Sequence, residues 1–351
     1  MLSETAALLA WYDLHRRTMP WRGLRDPYAI WVSETMLQQT RVETVLGYFP
    51  RFMEAFPTLA DLARAEEAEV LKQWEGLGYY SRARHLHAGA RQVMAEYGGQ
   101  LPQTAAALEK ITGIGPYTAG AIASIAFGER VPAVDGNVIR VVSRLRGLRD
   151  SFALPETRRT LQRLAAELVP EERPGDFNQA LMDLGAGLCA PGTPDCSLCP
   201  LKGFCAACAS GDAEALPNLP QKKAPKDLPY DVTLILRGNM VLMRCRTERL
   251  LQGLWVYPMT AGHQEPEALQ TALEKQTGLK PSLPRPIGEA RHTFTHQRWL
   301  MRLWLTSAEE GSPASGWRFI TLKEMQALAL PTAMRAPILK VRQLLEALDS
   351  E

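Results

Sequence analysis

The feature that most constrains this chain is a group of closely spaced cysteines. The spacing C-x6-C-x2-C-x5-C is formed by Cys189, Cys196, Cys199 and Cys205. Iron-sulfur clusters are bound by sets of four thiolates, whereas structural zinc sites more often combine two separated C-x2-C pairs. The spacing therefore favours one iron-sulfur cluster, with zinc and free thiols as the alternatives. Cys208 and Cys245 lie outside the spacing and are predicted to be small buried residues.

Composition and charge limit the class of protein. The 351 residues are enough for two domains, and no apolar run approaches the length of about eighteen residues that a membrane span needs. The charged amino-terminal segment differs from a secretory signal, so we expect the thiols to be reduced. A net charge of +2 does not indicate DNA binding by itself. Two basic clusters fit either solvated helix faces or DNA-binding patches: Arg82, Arg84, His85 and His87, and Arg140, Arg144, Arg146 and Arg149.

The hydrophobic period changes once along the chain. Residues 1–208 have helical spacing, which predicts an all-α domain with helices over 28–40, 59–74, 83–97, 104–111, 116–127, 137–145 and 177–188. A segment rich in proline over 209–229, with Lys222 and Lys223, is predicted to be a linker. Residues 230–351 are predicted to form an α+β domain, with strands over 231–236, 240–246 and 299–305 and helices over 266–276 and 336–348.

Residues 111–120, Ile-Thr-Gly-Ile-Gly-Pro-Tyr-Thr-Ala-Gly, predict a helix-hairpin-helix. Gly113 and Gly115 allow backbone angles that other residues resist, and Pro116 suits the first position of the next helix. Such a hairpin can direct backbone N–H groups at a DNA phosphate. An ordinary tight turn between packed helices is the alternative.

This hairpin, the Val-Asp-Gly-Asn sequence at 134–137 and the cysteine set, in this order, resemble the endonuclease III superfamily of DNA glycosylases. Within it the chain resembles the MutY family of adenine glycosylases through Met-Pro-Trp-Arg at 19–22, Trp-Val-Ser-Glu-Thr-Met-Leu-Gln-Gln-Thr at 31–40, Gly-Leu-Gly-Tyr-Tyr at 76–80 and Phe-Asn-Gln-Ala-Leu-Met-Asp-Leu-Gly at 177–185. The resemblance implies a six-helix-barrel module, an iron-sulfur module with one [4Fe-4S] cluster, and a Nudix-like domain. It also implies base excision repair, in which adenine paired with 8-oxoguanine or guanine in double-stranded DNA is flipped out and removed. With this resemblance, we expect a cytoplasmic, nucleoid-associated bacterial protein that acts as a monomer.

Cleavage of an N-glycosidic bond needs an acid at the base and a carboxylate facing the sugar, which becomes positively charged. The resemblance assigns the first role to Glu34 and the second to Asp135. By itself, Glu34 also fits a solvated helix face, and Asp135 fits the N-cap of a helix beginning near Gly136.

Position 117 separates two activities. Relatives that also cut the DNA strand carry a lysine there, but Tyr117 cannot form an imine, so a monofunctional glycosylase is predicted. The resemblance places Tyr117 near Asp135 as a hydrogen-bonding residue, with Asn137 close by. A bifunctional glycosylase/lyase and a catalytically inactive damage sensor are the rival functions.

The resemblance also implies residues for base flipping and recognition. Gln39 and Tyr79 would be wedges in the duplex, Gly113 and Gly115 would contact the DNA backbone, and the adenine pocket would be lined by Trp21, Arg22, Leu37 and Gln179. For the aromatic residues, core packing is the competing interpretation.

In the second domain, the stretch 268–279 lacks the paired carboxylates of a Nudix hydrolase, so we expect it to bind without hydrolysing. The lesion-reading loop is implied at Phe294, Thr295 and His296, where the family commonly has Phe-Ser-His. The cluster loop over 190–195 lacks the basic residues that relatives often carry, which predicts weaker salt-dependent DNA affinity unless Lys202 compensates.

Overall fold

A computed structural model of the chain describes residues 3–221 and 224–348. These residues form two compact units, one made of 3–65 and 81–221 and the other of 66–80 and 224–348. Lys222 and Lys223 of the predicted linker lie outside the described residues. Within the part that is described, no helix has the length and apolar character of a membrane span. The boundaries predicted at 208 and 230 remain predictions.

The chain before residue 211 is helical. Its helices are α1 (Glu4–His15), α2 (Pro27–Leu37), α3 (Val42–Ala55), α4 (Leu59–Arg64), α5 (Glu67–Gln73), α6 (Ser81–Glu96), α7 (Ala105–Leu108), α8 (Pro116–Ala126), α9 (Gly136–Arg146), α10 (Pro155–Leu168), α11 (Pro174–Ala186) and α12 (Ala206–Ser210). The single helix predicted over 59–74 is two helices, because Thr58 and Glu66 each begin a helix with a reciprocal capping box. The helices α1, α3, α10 and α12 were not among the predicted helices.

The helix α2 is the buried centre of the first unit. Asp26 caps its first turn and Pro27 occupies the first helical position. Every residue from Tyr28 to Met36 is buried. A carboxyl on this helix, such as that of Glu34, is therefore enclosed by protein.

Most of the basic residues predicted to form surface patches have structural roles instead. Arg82 is buried and donates to the carbonyl oxygens of Thr35 (2.8 Å) and Met36 (2.9 Å), which would otherwise be unpaired at the end of α2. Arg144 is also buried and donates to backbone carbonyls, while Arg146 pairs with Glu4. Burial excludes Arg82 and Arg144 from a solvated DNA-binding face, while Arg146 is partly exposed and is engaged by Glu4.

The second unit contains a mixed seven-stranded sheet. Its elements are β1 (Lys226–Arg237), β2 (Met240–Cys245), β3 (Trp255–Val256), β4 (Met259–Ala261), α13 (Pro266–Thr277), β5 (Arg285–Thr293), β6 (Gln297–Ser307), β7 (Trp317–Thr321), α14 (Leu322–Ala327) and α15 (Arg335–Leu348). The strand order is β3-β2-β1-β6-β5, with β4 paired to β1 and β7 to β2. The β1–β6 pair is parallel and β5–β6 is antiparallel.

Alternating side chains give this sheet two apolar faces. Val232 and Leu234 of β1 pack in a cluster with Val341 and Leu345 of α15. Ile235, on the opposite face, packs with Leu269 and Leu273 of α13. The period of two residues along the strand therefore places one helix against each face of the sheet.

The segment 66–80 belongs to the second unit although it precedes α6 in the chain. Lys72 donates to the carbonyl oxygen of Leu328 (3.0 Å), and the N–H of Leu330 donates to Glu75 (3.0 Å). The hydroxyl of Tyr80 also donates to the Leu330 carbonyl (3.3 Å). Side chain to backbone bonds thus join this segment to the loop after α14.

Candidate active site

The first unit contains two carboxyl groups that influence each other electrostatically, and one of them is Glu34. Its side chain is buried, and the hydroxyl of Tyr117, in the first turn of α8, donates a hydrogen bond to its Oε2. Burial raises the pKa of Glu34, and the charge of Asp135 raises this pKa further, whereas Tyr117 and Arg22 lower it. Burial, followed by the charge of Glu34, raises the pKa of Tyr117, which therefore remains a proton donor at neutral pH.

Asp135 is both a helix cap and the second carboxyl of this site. One oxygen accepts from the Val138 N–H at 2.8 Å, and the other accepts from the side-chain amide of Asn137 at 2.8 Å. Burial raises the pKa of Asp135, while these two hydrogen bonds oppose the rise by stabilising the carboxylate. The two interpretations of Asp135 drawn from the sequence are compatible, because one side chain serves both. Tyr117, by contrast, hydrogen-bonds Glu34 and not Asp135.

Arg140 fixes the position of Asn137. Its guanidinium donates to the Asn137 side-chain oxygen (2.8 Å), the Gly185 carbonyl (2.6 Å) and the Cys189 carbonyl (2.8 Å). Position 185 must be glycine, because an added Cβ would lie 2.7 Å from the Cβ of Asn137. The carboxylate of Asp135 is thus connected, through Asn137 and Arg140, to the backbone of the first cysteine of the predicted cluster.

Arg22 is held by a network on α11. Its guanidinium donates to Gln179 (2.6 Å) and to Asp183 (2.9 Å), and Asp183 also accepts from Arg17 (2.6 Å). The Nε of Arg22 is buried and has no hydrogen-bond partner within the described chain. A buried donor of this kind is suited to an acceptor on a bound ligand.

The remaining residues predicted for the adenine pocket have different surroundings. Trp21 is buried and packs edge-on against Phe49, at 5.5 Å between ring centroids. Leu37 is partly buried and is the last residue of α2. Core packing therefore accounts for much of the Trp21 side chain, and the pocket assignment of both residues remains a prediction.

The two predicted wedges share an uncommon backbone conformation. Gln39 has φ 57° and Tyr79 has φ 47°, and in the described chain only Arg173 and Leu251 are other non-glycine residues with positive φ. Both wedge side chains are exposed. Left-handed backbone is costly for such residues and often marks functional sites. Gln39 belongs to the first unit, whereas Tyr79 belongs to the second.

The predicted lesion-reading loop is the tip of a hairpin in the second unit. It joins β5 to β6 through Phe294, Thr295 and His296, and the Phe294 N–H donates to the Gln297 carbonyl at 2.8 Å. Phe294 packs edge-on against Trp299, at 4.9 Å between centroids, while Thr295 and His296 are exposed. The hydroxyls of Tyr79 and Thr295 lie 3.2 Å apart, within hydrogen-bond distance. Tyr79, a predicted wedge, and Thr295, of the predicted lesion-reading loop, are therefore in polar contact.

The predicted hairpin is present between α7 and α8. Gly113 has φ 86°, and a Cβ there would lie 2.8 Å from the Cβ of His85. Gly115, the N-cap residue of α8, has φ −93°, and a Cβ there would meet no atom within 4 Å. The first glycine is thus required by conformation and packing, and the second leaves the start of α8 open to a phosphate.

This difference predicts unequal effects of alanine at the two glycines. Gly113→Ala should lower the free energy of unfolding by about 2 kcal/mol, because the residue would be strained and would clash with His85. Gly115→Ala is the matched control and should cost about 1 kcal/mol or less. Urea unfolding followed by circular dichroism measures both changes. Equal destabilisation would contradict this account of the hairpin.

The cysteines of the predicted cluster lie around one cavity in the first unit. Its lining includes the thiols of Cys189, Cys196, Cys199 and Cys205. Arg144 reaches the Sγ of Cys189 (3.4 Å) and so places a cation beside the sulfur that a bound metal would require as thiolate. In the described part of the chain, no three Cys, His, Asp or Glu groups converge to hold a metal ion. The donor set fits a group with several metal atoms, each bound by a different sulfur.

The two cysteines outside the spacing were predicted to be buried, and this is wrong. Cys245 is exposed. Cys208 is only partly buried and lines the same cavity as the four predicted ligands. Cys208 follows Cys205 by three residues, in the helix α12, and is therefore not part of the C-x6-C-x2-C-x5-C spacing.

Sequence analysis missed two residues, Arg140 and Asp183, that hold side chains around the two buried carboxyls. Arg140 lies three residues after Asn137 on α9, a spacing that places both on one helix face and was available from the sequence. Asp183 lies within the 177–185 motif, but its pairing with Arg17 and Arg22 joins distant parts of the chain. Only the fold reveals the pairing of Asp183 with these two arginines.

The fold and this site define a DNA glycosylase of the helix-hairpin-helix superfamily joined to a Nudix-like domain. The family model described as "HhH-GPD superfamily base excision DNA repair protein" matches residues 32–171, and the NUDIX domain model matches residues 231–340. A thermostable thymine-DNA glycosylase of known structure is 32% identical with a TM-score of 0.54, covering 59% of this chain and 95% of that one. A structure of endonuclease III trapped on DNA, 23% identical with a TM-score of 0.50, covers 60% of this chain and 99% of that one, and supports the fold alone.

Similar proteins over most of the chain are adenine DNA glycosylases. That of Rattus norvegicus is 38% identical over 93% of this chain and 76% of the relative. Those of Homo sapiens and Buchnera aphidicola subsp. Baizongia pistaciae are 37% identical (94% of this chain, 72% of the relative) and 29% identical (96% of each). The chain belongs to the adenine DNA glycosylase family. The fold class and the resemblance predicted from the motifs are confirmed.

Proposed function

We propose that the protein removes adenine paired with 8-oxoguanine or guanine from double-stranded DNA, as a step of base excision repair. The observation that carries this proposal is the pair of buried carboxyls, Glu34 and Asp135, which interact electrostatically and have different hydrogen-bond partners. One carboxyl can then hold a proton while the other remains ionised.

The mechanism follows from the hydrogen-bond partners of Glu34 and Asp135. Glu34, whose pKa is raised by burial, gives its proton to the flipped adenine as the bond from C1′ to the base breaks and its electron pair leaves with the base. Asp135, whose carboxylate form is favoured by the hydrogen bonds of Val138 and Asn137 against the effect of burial, stabilises the positive sugar. A water molecule then adds to C1′ and releases a proton, so that the products are adenine and an abasic site. Tyr117 orients the carboxyl of Glu34 through its hydrogen bond.

Adenine binding is assigned to the network around Arg22. Gln179 and Asp183 fix the guanidinium, and its unpaired Nε offers a donor to an acceptor nitrogen of the purine. The side chain of Gln39 would fill the space left by the flipped nucleotide.

Recognition of 8-oxoguanine is assigned to the second unit. Thr295 presents a hydroxyl at an exposed hairpin tip and lies within hydrogen-bond distance of the hydroxyl of Tyr79, whose exposed ring would stack on a base. Phe294 anchors the tip through Trp299. The stretch 268–279 forms most of α13 without paired carboxylates, which supports binding without hydrolysis.

One [4Fe-4S] cluster is assigned to Cys189, Cys196, Cys199 and Cys205, which line one cavity beside Arg144. The cluster would hold together the loop after α11 and support DNA docking, and the excision step itself uses only the side chains described above. We further assign the protein to the bacterial cytoplasm at the nucleoid, where it would act as a monomer.

A single assay tests the activity. Purified protein incubated with a duplex that contains adenine opposite 8-oxoguanine should produce strand breaks only after hot alkali, because an abasic site is alkali-labile. A duplex with thymine in place of the adenine is the control. Binding without alkali-labile sites would instead identify a damage sensor.

The absence of a lysine at position 117 supports a monofunctional enzyme. Borohydride added during the reaction should trap no efficient covalent complex, since Tyr117 cannot form an imine. Electrophoresis of labelled DNA with the protein measures this. A trapped complex that disappears when a lysine is replaced would show the bifunctional glycosylase/lyase instead.

A further inference from the structure

Gln39, one of the two predicted wedges, lies in a tight turn directly after α2. The N–H of Thr40 donates to the carbonyl of Leu37 at 3.3 Å and closes a turn of four residues. Gln38 has φ −58° and ψ 111°, and Gln39 has φ 57°, which fits a type II turn. Glycine is the usual residue at the third position of such a turn. The chain thus keeps an exposed glutamine in a conformation that its own Cβ disfavours.

The buried side chain of Arg82, on α6, binds the chain on both sides of Gln39. One terminal nitrogen of its guanidinium donates to the carbonyl of Gln38, in addition to the two carbonyls at the end of α2. The other terminal nitrogen donates to the hydroxyl of Thr40 at 3.0 Å. Because a guanidinium is planar and its donors have fixed directions, Arg82 fixes the residues before and after Gln39 relative to each other.

The helix α8 supports the same turn. The side-chain amide of Gln38 donates to the hydroxyl of Thr118, a buried residue of α8, at 3.1 Å. The hydroxyl of Thr40 lies 3.5 Å from the Gln38 carbonyl and joins the two residues that flank Gln39. The residues on either side of Gln39 are therefore fixed by the protein, while the side chain of Gln39 projects from the turn into solvent.

We propose that Arg82 is a positioning residue for base flipping, which presents Gln39 to the gap that the extruded adenine leaves in the duplex. This inference rests on the role of Gln39 in the function proposed above. An inserted side chain offsets part of the free energy of unstacking and unpairing. A wedge on a loose turn would lose conformational freedom when it inserts, and this loss would cancel part of the gain. Binding by Arg82 removes that loss before the DNA arrives.

The first test is single-turnover excision by the full-length protein from a duplex with adenine opposite 8-oxoguanine. Gln39→Ala and Arg82→Lys should each lower the rate about tenfold. Lysine carries its charge at one point and cannot bind both sides of the turn. The double variant should be no more than about twofold slower than Gln39→Ala, because Arg82 acts through Gln39.

Milder changes and matched controls separate this role from a general effect on the fold. Thr40→Val removes the hydroxyl that Arg82 binds and should slow excision, whereas Thr40→Ser keeps a hydroxyl and should restore the parent rate. Thr5→Val is the control, because the Thr5 hydroxyl donates to a carbonyl at the end of α10 (3.2 Å). Arg91→Lys is the control on α6, since Arg91 donates to carbonyls at the end of α4. Both controls should excise at the parent rate.

Base extrusion is measured separately with 2-aminopurine in place of the adenine, because the fluorescence of this base rises when it leaves the stack. The protein carries Glu34→Gln, so that no base is released. Addition of Arg82→Lys or of Thr40→Val should reduce the rise in fluorescence at least about twofold. An undiminished rise would overturn the proposal, as would losses of rate that multiply in the double variant of Gln39 and Arg82.

The same measurements distinguish failure of this inference from failure of the proposed function. A parent that releases no adenine would refute the proposed function. Release at the parent rate by Gln39→Ala would refute the wedge, and with it the role of Arg82. If Arg82→Lys does not fold, excision at the parent rate by Thr40→Val overturns the proposal by itself.

Discussion

Replacing Glu34 by glutamine should reduce the rate of adenine release about 10³-fold. The amide keeps the shape of the side chain and can still accept the hydrogen bond of Tyr117, but it has no proton to give to the departing base. Single-turnover excision from a duplex with adenine opposite 8-oxoguanine measures the rate, and gel-shift titration measures binding. Binding should remain close to that of the parent.

The pH profile adds a second test of Glu34. Because burial raises its pKa, the parent should keep the acid protonated above the usual range of a carboxyl and lose activity as the pH rises through the raised value. This decline should be absent from the residual activity of Glu34→Gln. Glu43→Gln, the same change at an exposed position on α3, is the control and should leave the rate unchanged. Release at the parent rate by Glu34→Gln would refute the assigned role.

Asp135→Asn should also lower the rate of release by about 10³-fold. Asparagine can accept the N–H of Val138 and remains a good N-cap, so α9 should stay intact while the negative charge that faces the sugar is lost. Single-turnover excision and binding are measured as for Glu34, with thermal unfolding to confirm the fold.

Asp26→Asn is the matched control for this change. Asp26 caps α2 in the same manner, by accepting the N–H of Tyr28 at 3.0 Å. Its replacement should leave the rate unchanged. If Asp135→Asn lost activity only in proportion to lost stability, Asp135 would be a cap and not a catalytic residue.

Short sequence patterns predicted the parts of the fold that depend on contacts between neighbouring residues. Proline after glycine located the start of α8, and the aspartate before a helical period located the cap of α9. Alternation of apolar residues located β6. These signals act within one or two turns of the chain, where the sequence alone specifies the contacts.

Contacts between distant segments could not be predicted in this way. A cluster of arginines has the same sequence pattern on a solvated surface as against buried carbonyls, and only the position of α2 decides that Arg82 is internal. Likewise, Tyr117 was expected to form a hydrogen bond near Asp135, and the packing of α2 against α8 makes Glu34 the partner in that bond. The family resemblance identified the residues, and the fold determined their partners.

Because residues 66–80 belong to the second unit, a cut in the predicted linker would not separate the two units from each other. The chain passes between the units at 65/66 and 80/81 as well as after 221. A fragment ending at 221 would retain 66–80 but remove the Leu328 and Leu330 groups that Lys72 and Glu75 bind. A fragment of this kind would therefore also remove Thr295, the hydroxyl partner of Tyr79, so that the predicted wedge depends on residues from the other end of the chain.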